Sequence, residues 1–124
     1  MNAKYSLFTG CALLLACATV NAQPESERSP GDMTVEERRQ MMEHAAKYDN
    51  CVYSQAMANI SKHDDIRTVA DDALGQCQTK LQDLENLITG WGMPSGYAES
   101  FGSRIRQRAT RKLLPELAIR KAGG

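Results

Sequence analysis

Cys51 and Cys77 stand 26 residues apart in the chain. The spacing is no C-x-x-C redox motif, and no neighbouring His or third Cys completes a zinc ligand set. In an oxidising compartment such a pair reads as a structural disulfide. His44 and His63 are the only histidines. Their 19-residue separation is about 28 Å along a helix, so they cannot share a ligand, and both read as surface residues. The carboxylate pairs Glu36-Glu37, Asp64-Asp65 and Asp71-Asp72 are sequence neighbours. On a helix, neighbours point about 100° apart, which is no geometry for paired acid and base work. Nucleophile-elbow, zincin, phosphate-loop and dinucleotide motifs do not occur. Catalytic residues, metal ligands and cofactors are therefore expected to be none.

Cationic side chains are the remaining chemistry, and they are segregated. Residues 23–90 hold seven basic and thirteen acidic residues, a net −6, whereas residues 91–124 hold seven basic residues against Glu99 and Glu116, a net +5. At 100° per residue Arg104, Arg108, Arg111 and Lys112 share one side of a helix. That patch would suit anions such as lipid head groups or lipopolysaccharide phosphates. The blander reading is a solvated helix face partly neutralised by the acidic half, and the patch is weighed below that. Trp91, the single tryptophan, sits between glycines. It reads as cover for the end of a small core, with contact to a partner as the second option.

These residues must be carried by helices. Thr34-Val35-Glu36-Glu37 has the form of a capping box with Thr34 as N-cap. Beyond it Met41, Ala45, Tyr48, Val52, Ala56 and Ile60 recur at steps of three or four, which predicts a helix near 34–60. Asp64 or Asp65 can cap the next one. Ile66, Ala70, Ala73, Cys77, Leu81, Leu84 and Ile88 repeat with the same period and predict one helix over 65–89, with Gly90 as its terminating residue. Gly75 costs about 1 kcal/mol against Ala without interrupting the period. If the two helices run antiparallel about a turn near residue 64, facing positions sum to about 128, as 51 and 77 do. Ala56 and Ala73, Tyr48 and Leu81, and Ala45 and Leu84 then face each other, with small residues near the bridge. The loop 90–96 precedes a third helix from about Ser95, with Ala98, Phe101, Ile105, Ala109 and Leu113 as its stripe. Pro115 should kink or end it, and residues 116–121 form at most a last turn. The expected fold is all-α: a disulfide-linked antiparallel α-hairpin with a third, C-terminal helix packed on it.

Length and composition agree with one such unit. The chain has 124 residues, a net charge of zero, 42% apolar and 24% charged residues. That excludes a disordered or collagen-like chain and leaves no room for two domains. Residues 1–22 carry Lys4, then an uncharged stretch from Leu7 to Val20, then Val20-Asn21-Ala22, the pattern of a secretory signal peptide. Leu14-Leu15-Ala16-Cys17 resembles a lipoprotein processing site, so lipidation at Cys17 competes with cleavage after Ala22, the favoured reading. Residues 23–33 read as a flexible polar tail, and 34–121 as a single helical domain. The expectation is a small exported, non-catalytic envelope protein, periplasmic or secreted, that acts as an interaction or accessory module for another envelope protein. The alternative is an anion or membrane-surface binder using the basic face of the third helix. Nucleic acid is disfavoured, because no aromatic platform interleaves the arginines.

Overall fold

A computed structural model of the chain describes residues 27–124. The signal-peptide reading of 1–22, and Cys17 with it, lie outside the described residues. Four helices, and no strand, occur among the described residues: α1 (Val35–Asn59), α2 (Ile66–Gln76), α3 (Gln78–Gly90) and α4 (Ser95–Ala122), preceded by a 3-10 turn at Pro30–Asp32. The all-α expectation holds.

Helix α1 begins where its capping box places it. Thr34 Oγ1 accepts from the Glu37 amide at 3.1 Å, and the Thr34 amide donates to Glu37 Oε2 at 2.8 Å. Helix α2 is capped by Asp65, whose carboxylate accepts from the Arg67 amide at 2.9 Å. Both caps satisfy amide groups that a helix start leaves without an intrahelical acceptor.

The single helix expected over 65–89 is two. The break falls at Cys77, which leaves helical geometry with φ −98° and ψ 5°. Its amide still donates to the Ala73 carbonyl, and its own carbonyl accepts from the Lys80 amide. The apolar stripe runs on through the break, because Ala73, Cys77, Leu81 and Leu84 are all buried. Period alone carries no signal for such a break: the turn changes hydrogen-bond pattern without changing which side faces inward. Helix α3 then runs through Gly90. The residue with positive φ is Gly92, at +82°, two positions beyond the expected terminating glycine.

The third predicted helix also differs. Pro115 neither ends α4 nor shortens it, and the helix continues to Ala122. Proline removes one amide donor, the one that would serve the Arg111 carbonyl, and both Arg111 and Pro115 are on the exposed side of the helix. Leu113 and Leu117 are buried on either side of it, and their packing holds the last two turns.

α1 packs against both α2 and α3, and α4 lies mainly on α3 with further contact to α2 and α1. The shared core is centred on Tyr48, Val52, Val69, Leu84, Ile88 and Leu117. Each fully buried aliphatic side chain is worth about 1.5–3 kcal/mol by apolar area. Cys51 and Cys77 are joined by a disulfide with a Cα–Cα distance of 5.9 Å. The alanines on both sides, Ala45, Ala56, Ala70 and Ala73, are buried and leave space for that approach.

The segment just before α1 is not free. The Arg28 amide donates to the Gly92 carbonyl at 3.0 Å. Its guanidinium reaches Glu37 Oε1 at 2.8 Å, Glu37 Oε2 at 3.1 Å, the Trp91 carbonyl at 2.8 Å and the Asp32 carbonyl at 3.0 Å. Met33 is buried. Within the stretch that reads as a polar tail by composition, residues 28–33 are thus folded over one end of the bundle. The partners that order them include Gly92 and the Trp91 carbonyl, the latter 63 residues away, beyond any local pattern.

Candidate functional site

The sequence singled out Arg104, Arg108, Arg111 and Lys112 as one basic face, and α4 sends them in different directions. Arg108 turns to α1 and pairs with Asp49, Nη2 to Oδ2 at 2.9 Å. Arg104 lies over the Phe101 ring, 5.8 Å from its centroid. Lys112 stands on the rim of a groove between α1 and α4, whereas Arg111 lines a shallow concavity that Arg106 also lines.

The α1–α4 groove has a volume of about 350 Å³. Its floor is Val52, Ala109 and Leu113; its rim carries Asp49, Asn50, Tyr53, Lys112 and Glu116. Tyr53 is 43% exposed, one of few large hydrophobic side chains of the described residues that stand in solvent. Its hydroxyl accepts from Arg120 Nη2 at 3.2 Å. The Asp49–Arg108 pair ties the two walls. Asp49 Oδ1 and Arg108 Nε remain without partners, although both are buried. The rim thus mixes both charges over an apolar floor, an arrangement that takes an apolar side chain and orients it by polar contacts.

The second concavity, about 430 Å³, is lined by Ser103, Arg106, Gln107, Thr110 and Arg111. These positions are spaced as one face of α4. No carboxylate is among them. Thr110 Oγ1 is turned back to the Arg106 carbonyl at 3.0 Å, so the outward donors are the two guanidiniums, Ser103 and Gln107.

Trp91 is half-buried and packs against the core, while its carbonyl holds Arg28. His63 Nε2 lies 2.6 Å from Asp72 Oδ2, and the His63 carbonyl accepts from Lys121 Nζ. These contacts secure the α1–α2 turn to both α2 and the end of α4. No group of three or more His, Cys, Asp or Glu that could hold a metal ion occurs among the described residues. No helix of the described residues is long and apolar enough to cross a membrane.

Electrostatics divide the carboxylates into two kinds. The Arg28 guanidinium and the Thr34 amide hold Glu37 down to about 2, and Arg39 with Gln40 does the same for Glu36. Glu85 moves upward, first because it is partly withdrawn from water and second because Glu99 lies near. Its carboxyl rests on α4 at Gly102, where a Cβ would meet Glu85 Oε1. Tyr48 is also shifted upward, by burial, and its hydroxyl is buried without a partner.

Sequence reasoning missed Asp49, Tyr53 and Arg106. Asp49 and Tyr53 each follow a buried stripe residue of α1, a position that borders the core stripe. That border was the available signal, but which neighbouring helix would cover it was not. Compared with family models, curated proteins and solved structures, the chain gives no match in any of the three.

Proposed function

We propose that this protein is a small exported, non-catalytic interaction module of the cell envelope, and that the α1–α4 groove is where it receives another protein. The observation that carries this reading is the groove itself. Its walls are two long helices tied by Asp49–Arg108 and Tyr53–Arg120. Its floor is apolar and its rim holds Asp49, Lys112 and Glu116, so no single sign of charge is favoured. The occupant that fits is an apolar side chain of a protein segment whose backbone or polar neighbours bond the rim. Tyr53, an amphipathic side chain standing in solvent, has the character of an interface anchor. Export rests on the leader-like residues 1–22, and the disulfide supports it, since such bonds persist in oxidising compartments.

A photo-reactive side chain placed at Tyr53, at Trp91 and at Asp83 on the outer side of α3 tests the reading in the native envelope. The expected result is one discrete crosslinked protein from position 53 and none from 83. That protein, purified, should bind the wild-type chain and lose affinity for Tyr53→Ala. A crosslink from 91 alone would move the contact to the α3–α4 turn. Uniform labelling at all three positions, or equal affinity for Tyr53→Ala, would overturn the groove reading.

A further inference from the structure

A different part of α4 carries a second inference. Between Glu99 and Glu116 the chain holds Arg104, Arg106, Arg108, Arg111 and Lys112 and no acidic residue. In a chain of zero net charge this is the sharpest local imbalance. Arg108 is answered from α1 by Asp49. Among the described residues Arg104, Arg106 and Arg111 take part in no ion pair, whereas Arg28 and Arg39 are each bonded to carboxylates. Arg106 and Arg111 are exposed. They share their concavity with Ser103 and Gln107, both of which can donate.

We propose that the outer strip of α4, Ser103-Arg106-Gln107-Arg111, binds the phosphates of an anionic phospholipid surface. Guanidinium forks suit phosphate oxygens, and a strip of donors without a carboxylate excludes no part of an anion. The form of the strip selects a surface over a single small ion. Arg106 and Arg111 are separated by about 7.5 Å along the helix axis, on an open face with no opposing wall. One free phosphate would meet one guanidinium at a time, while a layer of head groups engages both together. No helix of the described residues crosses the bilayer, so this contact is peripheral, with the groove on the α1 side of the same helix left open. The inference does not depend on the groove: one surface has charges of both signs over an apolar floor, the other cationic donors alone.

The test is co-sedimentation of the natively isolated protein with vesicles of phosphatidylglycerol in phosphatidylcholine, against vesicles of phosphatidylcholine alone. Association should favour the anionic vesicles and weaken as salt shortens the screening length. Each arginine near such a surface contributes about a fivefold factor, so Arg106→Glu with Arg111→Glu should lower the preference by at least about 25-fold. Lys62→Glu with Lys80→Glu makes the same change of net charge on the hairpin and should leave it within about twofold. Circular dichroism confirms that both pairs remain helical. Equal loss in the two pairs would reduce the effect to net charge and overturn the strip. Equal association with both kinds of vesicle would also overturn it. Competition by millimolar inorganic phosphate at constant ionic strength would assign a free-ion site in place of a surface. Tyr53→Ala, which alters the groove, should leave vesicle association unchanged, so failure of one surface is separable from failure of the other.

Discussion

Helix α1 is gripped differently on its two sides. Toward α2 and α3 its contacts are apolar and covalent: buried alanines close to the Cys51–Cys77 bond. Toward α4 they include the Asp49–Arg108 pair, the Tyr53–Arg120 bond and a groove of about 350 Å³. The first interface is lined by buried small residues about the disulfide, and the second is incompletely filled. The charges repeat this division. Arg28 and Arg39 are bonded to carboxylates and act as parts of the fold, while Arg106 and Arg111 face outward without an ion-pair partner among the described residues. One residue type is therefore used as a structural tie at the start of α1 and as a free cation on α4. What separates the uses is whether a carboxylate stands within reach, on the same helix for Arg39 and on a neighbouring element for Arg28.

The largest effect should come from the covalent side. Cys51→Ser with Cys77→Ser frees a 26-residue separation, and the loss should be about 3 kcal/mol in chemical denaturation. A 60–100-residue domain shifts by roughly 4–8 °C per kcal/mol, so the melting temperature should fall by well over 10 °C. A loss comparable with that of a single surface ion pair would mean that the two sides of α1 are held alike.

Arg28→Ala comes next, because one side chain serves Glu37, the Trp91 carbonyl and the Asp32 carbonyl. The melting temperature should drop by several degrees at neutral pH. Its acid dependence is the sharper reading. Glu37 is held at about 2, below its ordinary value of 4.5, so its contribution is complete above that value and is lost as pH falls toward 2. Arg28→Ala should make the decline between about pH 4.5 and 2 shallower, leaving the share of Glu37 held by Thr34 and the share due to Glu36.

A double-mutant cycle on Asp49 and Arg108 should give a coupling of about 1 kcal/mol or less. The pair is partly exposed, with side-chain exposures of 24% and 35%, and screening discounts it. A coupling of several kcal/mol would make the α4 side as rigid as the stapled one.

Gly102→Ala should be neutral or slightly stabilising, although a new Cβ meets Glu85 closely. All three atoms it meets belong to the flexible Glu85 side chain, and moving that carboxyl into water relieves the burial that shifts it upward. The replacement also recovers up to about 1 kcal/mol of helix propensity. In the wild-type protein Glu85 binds its proton more tightly when folded. Its contribution to stability therefore grows as pH falls from neutral through its raised pKa toward 4.5. Gly102→Ala should abolish that rise. Strong destabilisation would show that the carboxyl cannot leave.

Smallest of all, Tyr53→Ala should change stability by no more than about 0.5 kcal/mol, as expected for an exposed side chain. A larger loss would place Tyr53 among the residues that build the fold and remove it from the groove's binding surface.

The parts of this structure that could be read from one dimension are those governed by neighbours three and four residues apart. The Thr34–Glu37 box, the stripe from Met41 to Ala56, and the start of α4 at Ser95 are of that kind. The disulfide was legible for a related reason: two periodic stripes about a turn bring residues 51 and 77 to one level. The break at Cys77 and the passage of α4 through Pro115 were not, since both preserve the inward face and differ only in backbone hydrogen bonding.

Helix type and the apolar stripe follow from backbone geometry and water's exclusion of apolar surface, so local order along the chain was enough to specify them. Which charges remain free depends on what stands across from them. Asp49 reaches Arg108 over 59 residues and the Trp91 carbonyl receives Arg28 over 63, while nothing comparable meets Arg106 or Arg111 among the described residues. Pairing of that range is set by packing of whole helices, and it divided a four-residue basic face: Arg108 is a structural tie, Lys112 a groove rim, Arg111 part of an outward strip, and Arg104 lies over the Phe101 ring.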